Sequence, residues 1–284
     1  MTIETRNTSY SGWGYNASLI EYPNGSAQIR LYDEPLMLKD NNEFREVQKI
    51  QEPFYGTYVR EVEQFEPKID PLESRRISLA RTKRMISDYA RSVSWEWFCT
   101  FTFSPEKVDR TDYKECCKKI RIWLKNIRDR KAKSLKYLAV PELHKDMESW
   151  HFHVLLAYTE NLDFFSSGMI KGGKVIYNIP SWTHGFSTAT KVYDTYRIQK
   201  YIVKYMTKAC HAMSKGAHRY FVSYMLPKPK KSLFVIEKGE EEELIKNIVE
   251  KLEKKVMWVS HNKAGGYTGV TYIELLPKEK REGM

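Results

Sequence analysis

Four stretches of the chain carry hydrophobic patterns sharp enough to name an element. Trp97–Phe103 (WFCTFTF) alternates large apolar with small residues and reads as a buried strand. Trp150–Ala157 (WHFHVLLA) is an apolar run of strand length, interrupted only by two histidines. Thr111–Lys131 is an amphipathic helix: Tyr113, Cys116 or Cys117, Ile120, Trp123 or Leu124, and Ile127 recur at helical spacing, with Asp109 or Thr111 as its cap. Asp194–Cys210 is a second helix with an apolar stripe of Ile198, Ile202, Met206 and Ala209.

Weaker patterns fill the intervals. Tyr137–Val140 reads as a short strand stopped by Pro141. Residues 70–93 form a basic helix with Ile77, Met85 and Ile86 as inward positions. Residues 160–190, with Gly168, Gly172, Gly173, Pro180 and Gly185, read as a long loop of the kind usually kept for function. This order implies an antiparallel sheet with helices on one face.

At the N-terminus, Tyr15–Ile20 and Ala27–Tyr32 flank a Pro-Asn-Gly-Ser turn and predict a hairpin, an edge addition to the main domain. After strand-like runs at Tyr220–Met225 and Leu233–Ile236, the acidic run Glu240–Glu243 opens a helix to about Lys255. Met257–Ser260 and Val270–Leu276 suggest a closing hairpin. The expected division is a β-rich extension over 1–70, a central domain over 75–225 and an α/β extension over 226–284.

The chain has 284 residues and a formal charge of +11, which favours a polyanionic partner, with nucleic acid ahead of a membrane surface. Four cysteines (Cys99, Cys116, Cys117, Cys210) show no zinc-site spacing, so free thiols in a reducing cytosol are expected. No apolar run of about 18 residues predicts a membrane span, and no signal-peptide core is visible. The sequence GxxxxGK[ST] is absent, so no ATPase is expected within the chain.

The histidines carry the first candidate chemistry. Residues i and i+2 of a strand point to one face, so His151 and His153 project side by side, as two metal ligands must. Glu142 is the candidate third ligand, because the turn LHKDMES leads from its strand directly into the histidine strand; His144, further into the turn, is the alternative. A His/His/carboxylate set with open positions suits Mn²⁺ or Mg²⁺ carrying a phosphate oxygen, and Zn²⁺ would also bind.

The helix Tyr201-Ile-Val-Lys204-Tyr205-Met-Thr-Lys208 carries the second. Its spacing places Tyr201, Lys204, Tyr205 and Lys208 on one face, with Arg197 close by. A phenol needs help to attack near neutral pH, and Lys204 and Lys208 are placed to stabilise phenolate or phosphoryl charge. With the His pair, this points to phosphodiester cleavage by tyrosine. Arg81, Lys83 and Arg84 on the basic helix, with Arg197, are candidate DNA-backbone contacts.

Phe98–Phe103 (FCTFTF), His151-Phe-His153 and Tyr201–Lys208 (YIVKYMTK) together resemble, in order, the motifs of the HUH-endonuclease superfamily of rolling-circle replication initiators. The last is similar to the two-tyrosine motif YxxKYxxK of initiators of small single-stranded DNA phages, and the spacing from Glu142 to His151 suits the carboxylate ligand of related initiators. The resemblance covers residues 75–225. It implies an α+β fold: a five-stranded antiparallel sheet with helices packed on it, related to the RNA-recognition topology. It implies nicking of single-stranded or hairpin origin DNA, a 5′-phosphotyrosine link and strand transfer. Tyr201 and Tyr205 would be nucleophiles in either order, and His151, His153 and Glu142 the ligands. A host helicase and DNA polymerase would be partners, in the cytoplasm of a bacterial host cell. A mobilisation relaxase, a tyrosine transposase or a non-catalytic single-strand-binding module are the alternatives.

Overall fold

The computed structural model describes residues 14–37, 71–209, 213, 217–262 and 269–278. In chain order the elements are β1 (Gly14–Glu21), β2 (Ala27–Met37), α1 (Pro71–Ala90), β3 (Trp97–Thr102), α2 (Tyr113–Arg130), β4 (Lys136–Leu143), β5 (Trp150–Ala157), β6 (Phe165–Lys171), β7 (Lys174–Asn178), β8 (Ser187–Lys191), α3 (Thr195–Ala209), β9 (Phe221–Val222), β10 (Lys230–Phe234), α4 (Glu241–Lys251), β11 (Lys254–Asn262) and β12 (Val270–Pro277). The fold is α+β with antiparallel sheets, and the chain divides into two compact units, residues 1–68 with 229–284, and residues 69–228.

The unit of the chain ends is a five-stranded sheet in the order β10-β1-β2-β12-β11. Its hairpin β1–β2 forms around the predicted turn, with Glu21 opposite Ala27. The partners of that hairpin are β10 and β12, so it is not an edge of the central sheet. One face packs Leu19, Ala27, Ile29, Ile273 and Leu275 under Ile248 of α4, with Leu244 and Ile245 beside it. α4 ends at Lys251 rather than near Lys255, because β11 already begins at Lys254.

The central unit holds a seven-stranded sheet in the order β6-β7-β8-β3-β5-β4-β9. All eight residues of β5 are buried. Its even-numbered positions face α2: Phe152, Val154 and Leu156 join Cys116, Ile120, Trp123, Leu124 and Ile127 in one core. Its odd-numbered positions face the other way, where Leu155 and Ala157 meet Ile86 and Ala90 of α1 and Ile202 of α3. Helices therefore cover both faces of this sheet, not one. A strand apolar on both sides is the pattern a doubly covered sheet requires.

α2 begins at Tyr113, and its cap is Asp112 rather than Asp109 or Thr111. The Asp112 carboxylate accepts from the backbone N–H of Lys114 and Glu115, while Asp109 instead holds Thr111 in the preceding turn. β4 does not stop at Pro141; it runs on to Leu143 with Pro141 opposite Phe152. Its pairing with β9 ends at Ala139, so one side of the strand has no ladder at the proline, where a missing N–H is tolerated.

The stretch 160–190 is mostly strand. Gly172 and Gly173, with φ of 58° and 74°, make the two-residue turn of the β6–β7 hairpin, a conformation open to glycine at little cost. β8 then lies against β3, and the chain leading into it passes so close that a Cβ on Gly185 would sit 2.2 Å from the Thr102 carbonyl oxygen.

Candidate metal centre and tyrosine helix

Strand register builds the centre. Glu142 of β4 lies directly opposite His151 of β5, and β3 borders β5 on its other side with Thr100 opposite His153. Residues on one sheet face alternate along each strand, so Glu142, His151, His153 and Thr100 share the face that α1 and α3 cover in part. Continuation of β4 through Pro141 is what brings the carboxylate into register.

Three donor atoms converge. His151 Nε2 lies 3.1 Å from Glu142 Oε2 and 3.1 Å from His153 Nε2, and His153 Nε2 lies 2.7 Å from the same carboxylate oxygen. All three residues are buried. An octahedral cation with bonds of about 2.1 Å has cis-ligand separations of about 3.0 Å, so the triangle fits a small divalent ion. The protonation states fit as well. Burial works to raise the Glu142 pKa, but bonds from both imidazoles and their charge outweigh it and hold the carboxyl well below its usual range. Burial, with the neighbouring His151, lowers His153 to about 4 against the pull of Glu142, so its ring is neutral near pH 7. An ionised carboxylate and a neutral imidazole are what a cation requires.

Thr100 completes the arrangement. Its hydroxyl lies 3.1 Å from His153 Nδ1, and a proton held there leaves Nε2 free to ligate. His151 Nδ1 is buried without a hydrogen-bond partner, so this support is particular to His153. His144, the alternative third ligand, packs its ring 4.1 Å from that of His151 and lies outside the converging set.

α3 brings the tyrosines to the same face. Ile202 is fully buried against Leu138 and Val140 of β4, with Ile198 and Val203 beside it, which turns the Tyr201–Tyr205 edge toward the histidines. The Tyr205 ring stacks on His153 at 3.7 Å, and Tyr201 meets Tyr205 edge-on at 4.9 Å. Burial, a hydrogen bond with Tyr201, the charge of Tyr201 and the charge of Glu142 all push the Tyr205 phenol well above its usual pKa.

A buried clamp seats the helix. Gln199 accepts from Arg91 Nη2 at 2.9 Å and donates to Ser87 Oγ at 2.6 Å, tying α3 to the end of α1.

Phe98 has a second role that the aromatic run disguised. Phe101 and Phe103 are core residues facing α2, as expected. Phe98, of opposite parity, lies under the site, 5.4 Å from His153, 5.1 Å from Tyr201 and 6.1 Å from Tyr205 between ring centroids. The alternation of FCTFTF was the signal that separates it from its neighbours.

The basic candidates are more dispersed. Lys204 is exposed on α3 beside the tyrosines. The Lys208 side chain lies outside the described residues. Arg197, 88% exposed, pairs with Asp194 at 3.2 Å. Arg81 and Arg84 are exposed on α1 and Lys83 is half-exposed; none of them enters the ring and hydrogen-bond contacts that build the centre.

Residues 96–210 match the family model for the replication-associated protein ORF2. No curated protein and no solved structure gives a match. Among the described residues, no helix is long and apolar enough to cross a membrane. The matched stretch encloses Phe98, Thr100, Glu142, both histidines and both tyrosines, so the part of the chain that builds the centre is the part similar to replication-associated proteins, in support of a replication initiator.

Proposed function

We propose that the protein is a nicking and joining enzyme that starts rolling-circle DNA replication by tyrosine attack on single-stranded origin DNA. The observation that carries this reading is the stacking of Tyr205 on His153, which sets a phenol against the metal triad. A divalent cation, Mn²⁺ or Mg²⁺, held by Glu142, His151 and His153 would supply Lewis-acid charge to the scissile phosphate.

The phenol oxygen of Tyr205 or Tyr201 forms a bond to phosphorus while the bond to the 3′ oxygen breaks. The phenol gives up its proton, the leaving 3′ oxygen gains one, and the 5′ phosphate stays on tyrosine. Neutralising the charge of Glu142 relieves one of the influences that keep Tyr205 protonated. Lys204, exposed beside the pair, and Lys208 supply positive charge to the phosphoryl oxygens. Reversal by a free 3′ hydroxyl reseals the strand. A second tyrosine 4.9 Å away permits another cleavage while the first remains occupied.

The test is incubation of the protein with Mn²⁺ and a pooled library of single-stranded oligonucleotides, followed by denaturing electrophoresis. An adduct that survives boiling in SDS is expected, and mass spectrometry assigns it to Tyr201 or Tyr205. Replacing both tyrosines by phenylalanine should end attachment and leave DNA binding intact; an adduct surviving in that double variant would refute the assignment. His151→Ala should abolish metal-dependent cleavage.

A further inference from the structure

Beyond the triad and the tyrosine helix, the most unusual surface of the central unit is the end of the β6–β7 hairpin. Residues 168–175 are all exposed. They include three aliphatic side chains, Met169 at 51%, Ile170 at 72% and Val175 at 39% exposed, beside Lys171 and Lys174. A sheet edge whose tip shows this much apolar surface to water is an interaction site or a liability. The geometry is specified locally. Gly172 and Gly173 close the turn, and a register shift between Ser166 and Ile170 accommodates Gly168 at φ 75°. The Ser167 hydroxyl bonds the Ile176 carbonyl at 2.8 Å across that shift.

The charge around the hairpin has one sign. Residues 164–193 contain no acidic side chain and carry Lys171, Lys174 and Lys191. Lys174 Nζ lies 5.9 Å from the centre of the exposed Tyr193 ring, just before the start of the tyrosine helix. A slender two-stranded ribbon with an apolar tip, flanking lysines and no carboxylate has the form of a wedge for the minor groove. There, Ile or Met enters between base steps and lysines meet phosphates.

We propose that the β6–β7 ribbon binds double-stranded DNA, with Met169 and Ile170 inserted at a base step and Lys171 and Lys174 on the backbone. It would hold the duplex that borders the strand presented to Tyr201 and Tyr205. The inference rests on the functional reading only for that placement; duplex binding itself involves neither the metal nor cleavage.

Fluorescence anisotropy of the full chain in EDTA, with a labelled single strand and with the same strand annealed to its complement, provides the test. Met169→Ser combined with Ile170→Ser should weaken duplex binding roughly tenfold and leave single-strand binding unchanged. Lys171→Ala with Lys174→Ala should reduce the slope of log affinity against log salt on the duplex by roughly two. An unchanged melting temperature shows that the fold survives. Equal losses on both probes overturn the proposal, as does no loss on the duplex. Loss confined to binding of phosphatidylserine vesicles also overturns it and makes the tip a membrane contact. Because no step requires nicking, a missing tyrosine adduct would sink the functional reading and leave this result standing.

Discussion

Thr100→Val is the most discriminating change at the candidate centre, because it alters one hydrogen bond and almost no volume. His153 is 6% exposed, and its two ring nitrogens have separate neighbours: Nδ1 faces the Thr100 hydroxyl at 3.1 Å and Nε2 faces Glu142 at 2.7 Å. A neutral imidazole carries one proton. With the proton on Nδ1, donated to Thr100, Nε2 offers a lone pair to a cation. Valine removes the acceptor, and an unpaired buried N–H costs about 1–3 kcal/mol. The ring escapes that cost by moving its proton to Nε2 and donating to Glu142, the tautomer that does not ligate.

Metal binding must then work against that preference. Loss of such an outer hydrogen bond typically weakens metal affinity about 10–100-fold, or about 1.4–2.7 kcal/mol. Titration calorimetry with Mn²⁺ near neutral pH should show that loss in Thr100→Val. Thr100→Ser, which keeps the hydroxyl, should bind like the parent protein. The melting temperature without metal should change little, since Thr100 is half-exposed and valine suits a strand. Parental affinity in the valine variant, or equal loss in the serine variant, would show that Thr100 does not set the tautomer.

The same residues predict two further outcomes. His153 is held near 4 against an ordinary 6.5, so on acidification the unfolded chain takes up a proton at this position before the folded one does. The metal-free protein should therefore lose on the order of 3 kcal/mol between pH 6.5 and 4. The depressed Glu142 adds in the same direction below its ordinary 4.5, because stability from a carboxylate held ionised is lost as pH falls. Melting of EDTA-dialysed protein that is flat from pH 7 to 4 would contradict this. Gln199→Leu removes the acceptor for Arg91 and the donor to Ser87, and a bond to a charged group is worth about 1.5–3 kcal/mol. At about 2–4 °C per kcal/mol for a unit of this size, the melting temperature should fall by roughly 4–8 °C; unchanged melting would mean that the clamp does not hold α3.

What could be read from the chain and what could not separate along a physical line. The backbone enforces the period of two within a strand, so the shared face of His151 and His153 followed from their spacing alone. The helical period likewise placed Tyr201 and Tyr205 along one edge of α3. Glu142 needed a further step, the pairing of adjacent strands through a short turn, and that step held even though β4 runs past the proline expected to end it. Parity also separates Phe98 from Phe101 and Phe103, but only once one face of β3 is known to be core and the other to hold the site. Likewise, the unbroken apolar run of β5 is the signature of a sheet covered on both faces.

Non-local pairing is where local pattern stops. Nothing in the hairpin β1–β2 specifies that Leu31 will lie opposite Thr271, or Ala17 opposite Phe234. Such partners are selected by burial of a face on α4, a quantity summed over both ends of the chain. Thr100 belongs to this second class. Its hydroxyl matters because β3, about fifty positions upstream, chose β5 as its neighbour in a register that puts Thr100 opposite His153. A shift of one residue would turn the threonine to the α2 core and leave the imidazole without its outer hydrogen bond. Ligand identity is thus written in short-range spacing, whereas ligand protonation is written in the register of the sheet.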